Sequence, residues 1–348
     1  MQYSPVLYER QHILTMTKQP LQKLFDAMYH GKYSFEDFLQ SPVEKNYEVI
    51  APTEPGGRRL FKPKENLKTY HRFLNLFLFE FLPVNDRVVF SYRKGFSALH
   101  AVQKHAKSKF FYQTDIQAFF DSIDRALTEK AILSGQANCP ISDLDIHLDR
   151  IVDLVCIDNS LPVGLPASAP LSNAVLLDFD NELERSCLER ELCYSRYADD
   201  IIISGHRQVD VQEIGQSVQE KLHQFSSKNF SIHEGKTRYF HVGGKIKILG
   251  MTILPNGKIS IDSKKKKDLE VLLFFYLNDK ERFRKIVNQA KNRTETSREL
   301  SDDDYVAYLS GTINHVDSID PDYTDKLRRK FGTATIDALK HSGFSKEK

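Results

Sequence analysis

Residues 193–205 read CYSRYADDIIISG. Two apolar runs, each of strand length, flank a Tyr-Ala-Asp-Asp string, and the polar pair falls where the chain has to turn. The stretch predicts an antiparallel hairpin with Asp199 and Asp200 at its tip. A second apolar run, FFYQTDI at 110–116, predicts a buried strand that ends on Asp115. Placed side by side, these strands bring three carboxylates to one sheet edge. Such groups repel one another, and burying them uncompensated is costly. A divalent cation removes that cost. Mg²⁺ takes hard oxygen ligands, commonly one or two protein carboxylates together with substrate phosphates. Two such ions a few Å apart clamp the attacking and leaving oxygens of a phosphoryl transfer. The competing reading of Asp-Asp at a hairpin tip is solvated turn chemistry. Asp121, Asp124, Asp178 and Asp180 are further carboxylates nearby, on predicted helices or at their starts.

Outward from this centre the elements alternate irregularly. Residues 1–45 predict short helices, with helical apolar spacing in PLQKLFDAMY. Residues 46–63 predict two short strands around a turn at Pro55-Gly56-Gly57. The pattern YHRFLNLFLFEFL predicts a helix ending at Pro83, and SALHAVQKH another after Gly95. Residues 125–156 read as helical, LPVGLPASAP (161–170) as a Gly/Pro-rich loop, and LSNAVLLDFDNELERSCLER as a helix. A helix over 208–226 precedes strands over 229–263, with a hairpin at Pro255-Asn256-Gly257. From 264 onward the chain reads as helical and basic. This is neither a βαβα rhythm nor an all-β pattern, so the expected class is α+β, an antiparallel sheet backed by helices.

The composition excludes several classes. In 348 residues, 41% are hydrophobic and 28% charged, ordinary for a globular chain long enough to bury a core. Lys and Arg number 49 against 47 Asp and Glu, so a nucleic-acid surface must come from local clustering. Such clustering occurs between 264 and 298, with eleven basic residues against five acidic. Cys139, Cys156, Cys187 and Cys193 form no Cys-x-x-Cys pair, which argues against a disulfide framework and for a reduced, cytoplasmic setting. No stretch reads as a membrane span or a signal peptide.

The order of blocks resembles a bacterial reverse transcriptase of the retron-like or abortive-infection group. YQTDIQAFFDSI (112–123) resembles the first catalytic block of that family, LPVGLPASAPLSNAVLLDFD (161–180) its nucleotide- and template-contacting block, and YADD (197–200) its Tyr-x-Asp-Asp signature. HEGKT (233–237) and KILG (247–250) resemble the lysine block and the primer-grip hairpin. RRLFKP (58–63) and SYRKGFSALHAVQKH (91–105) resemble fingers blocks, and residues 308–332 a short helical thumb. Three departures stand out. Val163 occupies the place of a frequent Gln, the Asn of an Asn-Ala-x-x-His string is absent near His100 and His105, and no Val-Thr-Gly follows the primer grip. They favour a defence-associated enzyme over a true retron one.

The resemblance implies a right-hand polymerase. Its parts would be an N-terminal helical extension (1–45), fingers (46–109), a palm (110–260, with a fingers insertion at about 125–160) and a helical basic thumb (261–348). It implies two Mg²⁺ ions, replaceable by Mn²⁺, on Asp115, Asp199, Asp200 and the Ile116 carbonyl, with Lys236 as general acid for the leaving pyrophosphate. Arg58, Arg59 and Lys62 would meet the triphosphate, or else form a solvated basic hairpin. Phe120 would lie under the incoming sugar and exclude a 2′-OH, one of Phe119 and Phe120 being core. Gly164 would contact the nucleotide, and Ser168, Tyr197, Leu249, Gly250 and Lys264–Lys267 (Lys264, Lys265, Lys266, Lys267) the template–primer.

The implied partners are dNTPs, an RNA template, its DNA product, and a protein partner or second polymerase, with no membrane. A dedicated non-coding RNA is the expected template, since no maturase, endonuclease or RNase H segment fits in this length. The expected setting is anti-phage defence. Primers to be distinguished are an RNA 2′-OH, a DNA 3′-OH and a protein tyrosine such as Tyr3 or Tyr8. Untemplated or protein-templated synthesis by the same site, and a catalytically silent RNA-binding scaffold, are the alternatives.

Overall fold

The computed structural model describes residues 17–52, 57–208, 211, 213–291 and 300–342. Within them the chain forms two compact units. One runs through Ser97 and from Phe111 to Tyr239; the other takes Ala98–Phe110 and the chain from Phe240 onward.

The first unit begins with α1 (Leu21–Tyr29) and α2 (Phe35–Gln40), the latter capped by Ser34, whose hydroxyl accepts from the Asp37 amide. An aromatic cluster fastens both to α3 (Glu65–Phe77). The Phe25 and Phe73 rings lie 5.1 Å apart, and those of Phe38 and Tyr70 lie 5.3 Å apart. The N-terminal helices therefore share a core with α3, at the ring spacing that adds to simple area burial. Between them β1 (Tyr47–Ile50) pairs antiparallel with β2 (Leu60–Pro63). Tyr3, Tyr8 and two residues of the expected turn, Pro55 and Gly56, lie outside the described residues.

The carboxylate-bearing strands form as expected. β3 (Phe110–Asp115), β4 (Cys193–Tyr197), β5 (Asp200–Gly205) and β6 (Arg238–His241) make one sheet in the order β4-β5-β3-β6. β4 and β5 are antiparallel, with Tyr197 opposite Asp200. Tyr194, Ser195 and Arg196 are all buried, as are Ile201, Ile202 and Ile203. A strand covered on both faces reads as a continuous run rather than an alternation. Its cover includes α8 (Leu177–Glu189), which packs on β4 and against α9 (Ile214–Phe225).

Several helical stretches differ from expectation. The 125–156 segment is two helices, α5 (Arg125–Ser134) and α6 (Leu144–Val155), parted by a stretch containing Gly135 and Pro140. The loop at 161–170 ends early, because α7 (Ser168–Val175) already includes Pro170. Proline is tolerated in a first helical turn, where its missing N–H has no intrahelical acceptor to lose. The next helix is interrupted at Leu176 before α8 begins. Of the expected 208–226 helix, α9 covers the later part, and residues 209, 210 and 212 lie outside the described residues.

The second unit holds α4 (Ala98–Gln103) and a three-stranded antiparallel sheet, β7 (Ile246–Ile248), β8 (Met251–Ile253) and β9 (Ile259–Ile261). Five helices follow: α10 (Ser263–Asn278), α11 (Lys280–Ala290), α12 (Asp302–Ile319), α13 (Pro321–Phe331) and α14 (Thr333–His341). Asp262, Asp279, Ser301 and Asp320 cap the first four. Among the described residues no helix is long and apolar enough to cross a membrane.

Candidate active site

Asp115 closes β3, Asp199 lies in the β4–β5 turn and Asp200 opens β5. The end of β3 and that turn are stitched by the Ile116 amide, which donates to the Asp199 carbonyl at 3.0 Å. On the other side of β3, the His233 amide donates to the Asp115 carbonyl at 2.8 Å and the Gln117 amide to the Ser231 carbonyl at 2.8 Å. Thus the sheet itself sets where the three carboxylates stand. Burial, and then the Asp115 charge, holds the Asp199 carboxyl above its ordinary range. Burial, followed by the Asp199 charge, pushes Asp200 up to about 6. These are marks of like charges gathered in a partly dry place.

Two side chains answer that charge. The Lys236 ammonium donates to Asp115 Oδ2 at 2.8 Å, and the Gln113 amide to Asp200 Oδ1 at 3.2 Å. A cleft of about 430 Å³ opens beside Asp115, lined also by Arg58, Arg59, Gln117, Asp121, His233 and Lys236. Its walls therefore carry both signs of charge.

The carboxylates present hard oxygens, the donor chemistry that suits Mg²⁺. Among the described residues no group of three or more His, Cys, Asp and Glu side chains is placed to hold a metal ion by itself.

The remaining expected residues fall in varied places. Phe119 is fully buried and Phe120 half-buried, their rings 5.3 Å apart, so Phe119 is the core member of the pair. Arg59 also bridges to Asp158 at 3.1 Å, while Lys62 stands off the cleft, 4.0 Å from Glu48. Gly164 adopts φ +107°, and a Cβ there would come within 2.4 Å of the Phe61 carbonyl oxygen. Its missing side chain thus permits close packing of the Val163 loop on β2, where the Phe61 amide donates to Val163 at 2.8 Å. Ser168 is buried and donates to the Pro162 carbonyl at 2.6 Å. Its side chain braces the loop instead of facing a template.

Tyr197 is half-buried at the end of β4. In the second unit, Leu249 and Gly250 form the β7–β8 turn. Lys264, Lys265 and Lys267 are exposed. Lys266 differs: it donates to Asp320 at 2.8 Å and Ser260 at 2.7 Å, and its ammonium lies 4.4 Å from the centre of the Tyr323 ring. It is a structural lysine, a correction to the expected row of four. Of the other acids, Asp121 lines the cleft, Asp124 caps α5, Asp178 pairs with Lys130 at the surface, and Asp180 is fully buried against Arg196.

Gln113, His233 and Tyr92 escaped the reading of the sequence. Burial first and then the Asp199 charge raise the Tyr92 hydroxyl, which marks it as a neighbour of the turn. Gln113 offered a usable signal, since it sits two residues before Asp115 on one strand and therefore shares its face.

The profile of the reverse transcriptase (RNA-dependent DNA polymerase) family matches residues 45–253. The retron Ec83 reverse transcriptase of Escherichia coli is 26% identical over 317 residues, which span 88% of this chain and 93% of that protein. For the retron Ec73 reverse transcriptase of Escherichia coli the figures are 23% over 303 residues, 85% and 89%. For the retron Mx65 reverse transcriptase of Myxococcus xanthus they are 23% over 300 residues, 82% and 64%. All three carry the retron name, the side of the resemblance that the three sequence departures disfavoured. A match covering more than half of the chain, laid over the strands that gather Asp115, Asp199 and Asp200, settles the family: the chain belongs to the reverse transcriptases, the RNA-dependent DNA polymerases, and is retron-like among them.

Proposed function

We propose that the chain adds dNTPs to a primer hydroxyl on an RNA template at the edge formed by Asp115, Asp199 and Asp200. The observation that carries this reading is the cleft beside Asp115, whose lining mixes carboxylates and cations. Asp115 and Asp121 line it together with the cations of Arg58, Arg59 and Lys236, the last of which donates to Asp115 itself. A triphosphate needs both, because its charge must be balanced while its reacting phosphorus is held near the ions.

Asp115, Asp199 and Asp200, with the Ile116 carbonyl, would hold two Mg²⁺ ions. When bound, these supply charge stabilisation for the attacking and leaving oxygens. Arg58 and Arg59 orient the triphosphate. Lys236, which donates to Asp115 at 2.8 Å, would give a proton to the departing pyrophosphate. Phe120 closes the volume a 2′-OH would need. Fingers over 46–109, a palm over 110–260 and a thumb over 261–348 complete the proposed right hand. A dedicated non-coding RNA serves as template, and anti-phage defence is the setting, supported by the retron names of the relatives.

Primer extension on an RNA template, with and without Mg²⁺, tests the reaction. Sequencing the nucleic acid that co-purifies with the protein tests the template. Synthesis that persists after chelation of divalent ions, or co-purification of unrelated RNAs only, would overturn the respective parts.

A further inference from the structure

The catalytic turn contains a residue that its backbone does not suit. Ala198 adopts φ +55°, a left-handed conformation in which a non-glycine residue crowds its Cβ against the following carbonyl. Strain of this kind persists only where the surroundings over-determine it. Here both polar groups of Ala198 are held from within the protein. Its amide donates to Ser91 Oγ at 2.8 Å, and its carbonyl accepts from Arg196 at 3.0 Å.

Those two partners belong to one buried network. Arg196 and Asp180 have no exposed side-chain surface and meet as a fork, Nε to Oδ1 at 2.8 Å and the terminal nitrogen to Oδ2 at 2.6 Å. Tyr194, two residues before Arg196 and on the same face of β4, adds its hydroxyl to Asp180 Oδ1 at 2.6 Å. The other terminal nitrogen of Arg196 reaches Asn173 Oδ1 at 3.2 Å, and Asn173 donates in turn to the Ser91 carbonyl at 2.8 Å. Ser91 Oγ closes the circuit on Asn173 Oδ1 at 3.2 Å. Even the Arg196 backbone is fixed, its amide donating to Val88 and its carbonyl accepting from Phe90.

A fully buried ion pair is a poor source of net stability, since desolvation offsets most of the attraction. What this one supplies is direction. The guanidinium is planar, and with its other donors spent on Asp180 and Asn173 the remaining N–H can point only one way. We infer that Arg196, oriented by Asp180 and Asn173, and Ser91 are positioning residues that hold the Ala198 peptide in its left-handed form and so aim Asp199 and Asp200. The inference rests on the proposed catalytic role of those two aspartates.

Ser91→Ala tests it with the least disturbance, because it removes the acceptor of the Ala198 amide and one donor to Asn173 while keeping both partners of the Arg196–Asp180 pair. Arg196→Lys is the stronger lesion, since an ammonium cannot make the fork. Hydrogen exchange of the Ala198 amide is read in the protein alone, and kcat and KM for a dNTP by primer extension. In Ser91→Ala the amide should exchange roughly tenfold faster or more, having lost its buried acceptor. The kcat per folded molecule should fall roughly 10- to 100-fold while KM for the dNTP stays within about twofold, the pattern of misaimed groups rather than lost binding. Unchanged exchange at Ala198, or an unchanged kcat in a variant that merely melts earlier, would overturn the inference. Should Arg196→Lys fail to fold, Ser91→Ala decides alone. Failure of the catalytic reading shows separately, as synthesis retained by Asp199→Asn with Asp200→Asn.

Discussion

Among the described residues two hairpins turn on two residues each, and they solve the same backbone problem differently. Between Tyr197 and Asp200 the turn is Ala198-Asp199, with Ala198 at φ +55°. Between Ile248 and Met251 it is Leu249-Gly250, at φ +50° and +77°. The second is local chemistry: a glycine at one left-handed position, and a short sheet whose Ile246, Ile248, Met251 and Ile253 are buried. The first has no glycine. It is held by Ser91 and Arg196, each joined to groups far off in the chain, and it presents charge where charge is unfavourable. One turn is made by its own residues, the other by its surroundings. Lesions at the first should therefore appear in chemistry, and lesions near the second in binding or stability.

The sharpest contrast comes from Asp199→Asn with Asp200→Asn. Incorporation should fall below detection in primer extension, since two of the three carboxylates proposed to hold metal are gone. The melting temperature should hold or rise, because a like-charge cluster is relieved. Synthesis retained, or a protein that no longer folds, would break the contrast at its stronger end.

Phe120→Ala should change selectivity more than stability. Phe119, not Phe120, is the fully buried ring of the pair. Opening the space that Phe120 is proposed to fill beneath the sugar should raise rNTP relative to dNTP use by roughly 10²-fold in kcat/KM. Measuring dCTP against CTP on one RNA template checks this. An unaltered ratio with a much lower melting temperature would make Phe120 a core residue.

How far these differences were legible follows from where each signal resides. β3, β4 and β5 announce themselves by unbroken apolar runs, and the carboxylates by standing at the ends of those runs. The β7–β8 turn announces itself less, because Leu249 carries no turn chemistry. Asp180 was invisible as a buried group. It lies on a helix with charged neighbours, and its partner Arg196 is sixteen residues away on a strand. Tyr194 and Arg196, at i and i+2, hinted at a polar face, but nothing in a linear pattern says that such a face is covered. The start of α7 was misplaced for a simpler reason: Pro170 reads as a helix breaker, yet a first turn accepts it.

Close to the second hairpin, the lysines at the start of α10 divide by what they touch. Lys265 Nζ lies 3.4 Å from where a Cβ on Gly250 would sit, so it flanks the turn. Replacing Lys264, Lys265 and Lys267 by Gln should flatten the salt dependence of template–primer binding, by roughly 0.7–0.9 in log–log slope for each phosphate no longer neutralised. Lys266→Gln should leave that slope alone and lower the melting temperature, because Asp320 is buried against it. Equal slopes for the triple variant and the parent would make the three exposed lysines a solvated face.

The smallest effect should come from Leu249 itself. Both central residues of its turn lie at positive φ, the geometry that asparagine followed by glycine adopts most readily between twisted strands. Leucine there bears a steric cost that asparagine largely avoids, while Gly250 already suits its position. Leu249→Asn should therefore stabilise the hairpin, by about 1 kcal/mol at most. Offsetting this is the partial burial of the leucine side chain, whose apolar packing asparagine does not reproduce. A melting curve reads the balance, and kcat should not move, since the turn is formed from local residues and carries no reacting group. The matching change at the other hairpin, Ala198→Gly, relieves the same kind of strain. There, however, it should lower kcat, because it frees a peptide that Ser91 and Arg196 hold in one orientation. If Leu249→Asn changed kcat as much as Ala198→Gly does, the two turns would not differ in kind.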